Sequence, residues 1–190
     1  MKLEKIIVAS TNEGKIAEIK SIFKGLDIIS MGELGFKEDI EETGKTFKEN
    51  AKIKAETVAK KFNLPALADD SGLCVDALHG APGIYSARFS GEGPAANRKL
   101  LLKRLEHISD REAHFESAVC LCMPDGKTYF GEGKTYGRIL QEEIGTNGFG
   151  YDCLFFSDDL KRSFGVVSEE EKNKVSHRFR ALEDLKAKLK

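Results

Sequence analysis

Residues 115–134 read FESAVCLCMPDGKTYFGEGK. Two strand-forming runs, 115–123 and 127–134, flank the turn Pro124-Asp125-Gly126-Lys127, which is the pattern of an antiparallel hairpin. The period of two places Cys120 and Cys122 on one face of it. Working outward, strands and helices interleave. Residues 3–9 are a β-rich apolar run that gives way at STNEGK, residues 10–15, to a helical pattern through Ile16, Ile19, Ile22 and Phe23. A short strand is expected over 26–29 and an irregular acidic loop over 32–45. Thr46 and Glu49 make a capping box for a helix with an apolar face of Phe47, Ala51, Ala55, Val58, Ala59 and Phe62. Gly93-Pro94 opens another helix, and Ser168 with Glu171 and then Ser176 mark two more near the end. Helices alternating with strands around an antiparallel hairpin predict an α/β fold with a central mixed β-sheet flanked by helices, not a purely parallel sheet.

A chain of 190 residues supports one sizeable core, so residues 1–190 are read as a single domain. Thirty Lys and Arg against thirty-one Asp and Glu leave a net charge of −1. No global field draws such a chain to a nucleic acid polymer or a membrane surface, and any anion site must be local. The opening MKLEKIIVAS is short of a signal peptide, and no apolar run approaches the ~20 residues of a membrane span, so a cytoplasmic protein is expected. Cys74, Cys120, Cys122 and Cys153 show no C-x-x-C pair and no His at ligand spacing. Reduced core thiols are the reading, rather than structural zinc.

Four constellations carry potential chemistry. STNEGK offers hydroxyls, an amide, a lysine and helix N-terminal amides, which suit either a phosphate cradle or an ordinary capped turn. LADDSGL, residues 67–73, sets Asp69 and Asp70 side by side between apolar runs. With Glu41 and Glu42 these acids could hold Mg²⁺ against a polyphosphate, or DDSG could simply be a turn. KNKVSHR, residues 172–178, crowds basic groups at a helix N-terminus, where anions are favoured, which suits either a bound anion or electron-rich base edge or a solvated basic turn. NGFGYD, residues 147–152, hangs aromatics on a glycine-rich loop, either a base-stacking platform or a cover for the core.

Five segments, ASTNEGKIAEIK, EETGKTFKENAKIKA, LADDSGLCVDALHGAPGIYSARFSG, GTNGFGYD and KNKVSHRFRAL, together resemble the inosine triphosphate pyrophosphatase family, the XTP/dITP diphosphatases, nearly end to end. The resemblance implies two lobes with the active-site cleft between them, a homodimer, and hydrolysis of ITP, dITP and XTP to a nucleoside monophosphate and pyrophosphate, which cleanses the nucleotide pool. It implies that Ser10, Thr11, Asn12, Lys15 and Lys54 hold the triphosphate and that Glu41, Asp70 and Asp69 bind Mg²⁺. Asp70 would direct the attacking water, with Ser71 touching the substrate beside it. Phe149 would stack on the purine, Gly150, Tyr151 and Asp152 would shape its pocket, and Lys172, His177 and Arg178 would read the base edge and sugar-phosphate side. Three positions depart from the family's habit: Cys153 stands where proline is usual, Ser10 where threonine is usual, and Glu13 in place of a commoner proline. A Maf-like nucleotide pyrophosphatase and a non-catalytic nucleotide-binding regulator are the competing readings. The SHRFRAL ending together with GFGYD weighs against the first, and retention of Glu41 and Asp70 against the second.

Overall fold

The computed structural model describes residues 4–23 and 25–189. Its elements run β1 (Lys5–Val8), α1 (Glu13–Ile22), β2 (Asp27–Ser30), α2 (Phe47–Phe62), β3 (Ala66–Val75), α3 (Pro94–Arg104), β4 (Glu112–Cys122), β5 (Thr128–Ile139), β6 (Phe155–Ser157), β7 (Arg162–Ser163), α4 (Glu169–Asn173) and α5 (His177–Lys188). The seven strands form one sheet in the order β2-β1-β3-β4-β5-β6-β7. β1 pairs in parallel with β2 and β3, while β6 pairs antiparallel with β5 and β7, so the sheet is mixed as the hairpin predicted. The turn closes where the Met123 N–H donates to the Lys127 carbonyl at 2.8 Å. Leu3, expected in the first strand, lies outside the described residues.

The caps behave as their chemistry dictates. Ser168 and Glu171 form the reciprocal capping box of α4. At α2 the Thr46 hydroxyl accepts from the Glu49 N–H, but Glu49 reaches one residue further, accepting from the Lys45 N–H at 2.6 Å. The DDSG segment departs from its turn reading: β3 runs unbroken through Asp69, Asp70, Ser71 and Gly72.

The contacts divide the chain into two compact units. The first comprises residues 1–70, 117–133 and 178–190. Here alternation along the strands sorts the core onto two faces. Ile6, Val8, Leu67, Val119 and Leu121 pack with Ile19 of α1 and Ala181, Leu182 and Leu185 of α5. Ile7, Ala9, Ala66, Ala68, Cys120 and Cys122 pack with Ala51, Ala55, Val58 and Ala59 of α2. The second unit comprises residues 71–116 and 134–177. Its core joins Leu73 and Val75 of β3, Leu101 of α3, Ala113 and Phe115 of β4, and Leu154, Phe155 and Phe164. Phe115 and Phe155 meet at 4.7 Å between ring centroids. No described helix is long and apolar enough to cross a membrane.

Candidate active site

Adjacent strand residues point to opposite faces of a sheet. That geometry separates Asp69 from Asp70: Asp69 follows Leu67 onto the α1 and α5 face, and Asp70 follows Ala68 onto the α2 face. Each then meets its own set of partners.

Asp69 is buried and saturated. One carboxylate oxygen accepts from the Ser117 hydroxyl; the other takes Lys15 Nζ at 2.9 Å and Arg178 Nη2 at 3.2 Å. Burial opposes its ionisation, yet Arg178, Lys15 and Ser117 outweigh that penalty and hold the carboxyl well below the usual range. Arg178, only 1% exposed, is shared with the buried Glu18 of α1. The guanidinium, expected at a base edge, is engaged here by Glu18 and Asp69. Asp69, expected as a metal ligand, has both oxygens committed to these cations and to Ser117.

Asp70, buried as well, differs in its partners and in the direction of its pKa shift. Its Oδ1 accepts from Lys54 Nζ at 3.3 Å, while its buried Oδ2 has no hydrogen-bond partner among the described residues. Burial pushes its pKa up, against the pull of Lys54 and Lys15, with Glu42 and Asp69 adding to the rise. Lys54 donates also to Glu42 at 2.8 Å and to the Asp69 carbonyl at 3.0 Å, which engages all the donors an ammonium has. Burial alone would lower the Lys54 pKa, but Asp70 and Glu42 raise it. The resemblance implied a triphosphate ligand at Lys54; its contacts here are with Glu42, Asp69 and Asp70. In the acidic loop it is Glu42 that reaches this ammonium; Glu41 is exposed.

The turn before α1 is built as a cap. Asn12 is its N-cap and accepts from the Lys15 N–H at 3.0 Å, while Ser10 Oγ accepts from the Asn12 N–H at 3.1 Å. Thr11 is exposed beside them.

In the second unit the glycine-rich loop is tied down by one acid. Asp152 Oδ2 accepts from the Phe149 N–H at 2.8 Å and from Lys172 Nζ at 2.7 Å, all at a buried carboxylate. Gly148, at φ +73, is required there: a Cβ would stand 2.1 Å from that oxygen. Phe149 is held 38% exposed, with Lys172 Nζ 4.7 Å from its ring centroid. Tyr151 is buried and donates to the Ser86 carbonyl at 2.8 Å, and Gly150 adopts φ +62 and accepts from Arg98 at 3.1 Å. His177 is buried with its ring stacked on Phe115 at 4.9 Å. Ser71, half-buried, follows Asp70 in β3.

Glu18, Ser117 and Arg98 complete these clusters without having been singled out from the sequence as site residues, and Glu42, expected among the acids that could hold Mg²⁺, is found on Lys54. Glu18 did leave a signal, since it lies with Lys15, Ile19 and Ile22 on the stripe that α1 turns to the core. Among the described residues, the three metal-ligating side chains whose ligand atoms all lie within 4.8 Å of one another are Cys74, His114 and Glu116, a different set from the acids at 41, 69 and 70.

Against this geometry, residues 6–188 match the family model of the Ham1 family. A dITP/XTP pyrophosphatase of Bacillus licheniformis is 47% identical, with 98% of each chain covered. One of Thermoanaerobacter pseudethanolicus is 48% identical over 96% of this chain and 94% of the relative. The solved structure of the Staphylococcus aureus Ham1 protein superposes with a TM-score of 0.87 at 43% identity, covering 97% of each chain. Sequence and fold agree over nearly the whole length, and the chain belongs to the Ham1 family.

Proposed function

We propose that this chain, acting as one domain over residues 1–190, hydrolyses the non-canonical purine nucleoside triphosphates ITP, dITP and XTP to the nucleoside monophosphate and pyrophosphate. The names of its relatives support that substrate class. The observation that carries the chemistry is the opposed treatment of two neighbouring acids. Asp69 is fixed as an anion by Lys15, Arg178 and Ser117; Asp70 is raised and keeps one buried oxygen unpartnered. Two carboxyls whose environments push them apart are a means of assigning one to structure and the other to proton transfer.

Asp70 orients the attacking water and accepts its proton as the oxygen adds to the α-phosphorus, and pyrophosphate leaves with the electron pair of the α–β bond. Lys54 fixes the carboxylate in that orientation. Lys15, with donors beyond the one given to Asp69, meets the phosphates together with Ser10, Thr11 and Asn12. Mg²⁺ fits the remaining donor set, since Asp70 Oδ2 and the loop acids Glu41 and Glu42 supply only hard oxygens. When bound, it would offset polyphosphate charge and polarise the phosphoryl oxygens.

The purine stacks on the exposed Phe149 ring, whose cation neighbour Lys172 strengthens that surface. With Arg178 engaged by acids, base discrimination falls to the loop of Phe149, Gly150, Tyr151 and Asp152 and to His177. A donor there suits the keto oxygen of inosine or xanthine and would be left unpaired by the adenine amino group. Family likeness also supports a homodimer and a cytoplasmic location. The test is pyrophosphate release by purified protein from ITP, dITP, XTP, GTP and ATP, with Mg²⁺ and after exhaustive chelation. Preference for the first three with Mg²⁺ is expected; equal use of ATP, or full activity after chelation, contradicts the reading.

A further inference from the structure

We propose that Cys74, His114 and Glu116 form a site for a borderline-soft divalent transition metal, with Zn²⁺ as its best-matched ion. None of these residues has a part in the nucleotide chemistry above. Neighbouring strands of the sheet bring them together: Cys74 stands near the end of β3, and His114 and Glu116 are two apart on β4, so both project from the same face. One ligand atom from each lies within 4.8 Å of the others. Zinc bonds of about 2.0–2.3 Å in tetrahedral array bring ligand atoms to about 3.3–3.7 Å from one another, a contraction that side-chain rotation provides.

The orientation of the histidine adds a second observation. Nε2 lies 3.5 Å from a Glu116 oxygen, so it faces the cluster, while Nδ1 lies 4.0 Å from Asp76 Oδ1. A carboxylate behind the distal nitrogen is how metal-bound imidazoles are commonly oriented. Lys134 neutralises Glu116 at 3.0 Å, and a dication would take over that task. The thiol is pushed up to about 11, first by burial and then by Glu116, and a bound dication reverses both effects by replacing the proton. On binding, the Sγ–H proton passes to solvent as the sulfur–metal bond forms, with no change of oxidation state. Thiolate, imidazole and one carboxylate select Zn²⁺ or Co²⁺ over Mg²⁺, and three protein ligands leave a fourth position for water.

The probe is Co²⁺ added to the full-length protein, read by sulfur-to-cobalt charge-transfer absorption. Wild type is expected to take one equivalent with that absorption, to release it to Zn²⁺ and to keep it in excess Mg²⁺. Cys74→Ser should lack the band, and His114→Ala should bind Co²⁺ at least ~10-fold more weakly, by analogy with metal-site partner losses. Circular dichroism checks that both variants fold. Protection of Cys74 from alkylation by Zn²⁺, but not by Mg²⁺, gives the same test on the unmutated chain. Absence of the band in wild type, its persistence in Cys74→Ser, or equal alkylation with and without Zn²⁺ would overturn the proposal and leave the pyrophosphatase reading untouched.

Discussion

The acid centre of the first unit and the glycine-rich loop of the second are both held by a buried carboxylate, and they differ in what they expose. Around Asp69 the partners come from α1, β4 and α5, at positions 15, 117 and 178; the charges of Asp69 and Arg178 are buried and that of Lys15 is half-buried. Around Phe149 the loop is tied from the Phe149 N–H to Asp152 and outward to Lys172, Ser86 and Arg98, and the ring stays open to solvent. The first arrangement makes its charges part of the core, because removing one leaves others uncompensated in low dielectric. The second leaves an aromatic ring outside the core, so that ring can change what binds without changing how the chain folds.

Arg178→Ala is the largest expected break in that contrast. Glu18 and Asp69 would lose their shared cation, at a cost of about 3–5 kcal/mol in urea unfolding. Residual activity should fall in the same proportion for ITP and ATP. A loss confined to ITP, with the unfolding midpoint kept, would restore to Arg178 the base-reading task that its sequence position suggests. Phe149→Ala should do the reverse. Stacking is worth about 1–3 kcal/mol per base, so kcat/KM for ITP should fall by about 5- to 150-fold. The urea midpoint should not move; a lowered midpoint with unchanged kcat/KM would make Phe149 a core cover.

A smaller effect sharpens the same comparison through pH. The carboxyl of Asp69 is depressed in the folded state, so that state binds fewer protons than the unfolded chain and gains stability with rising pH. The contribution is full above the ordinary carboxylate range and is lost as pH falls through the folded-state value below it. The stability deficit of Asp69→Asn against wild type should therefore be complete at neutral pH and shrink in strong acid. A deficit independent of pH would show that shape, not charge, holds the site.

Much of the fold was legible because its signals are local. The hairpin at 123–127, the capping residues Thr46 and Ser168, and the apolar stripe of α2 each declare themselves within a few residues. DDSG was ambiguous for a physical reason: Asp, Ser and Gly favour turns, and only cations from distant segments let them lie in a buried strand. The Asp69 cluster illustrates the limit. Arg178 and Glu18 are 160 residues apart, and no periodicity announces their pairing. The choice between Glu41 and Glu42 rests on which reaches Lys54, a matter of loop path. Cys74 and His114 escaped a search by spacing because strand adjacency, not sequence distance, brings them together.

The central claim is that two adjacent aspartates do different work, and comparing Asp69→Asn with Asp70→Asn tests it most directly. Both variants would be measured for urea unfolding at neutral pH and for pyrophosphate release from ITP with Mg²⁺. Asp70→Asn should keep or raise the unfolding midpoint, since burial disfavours its charge, while turnover falls by about 10²–10⁴-fold with loss of the base. Asp69→Asn should lower the midpoint, because Lys15 and Arg178 lose their buried counter-ion. If the two variants lose stability and turnover in equal measure, or if Asp70→Asn turns over at the wild-type rate, the division of labour is wrong.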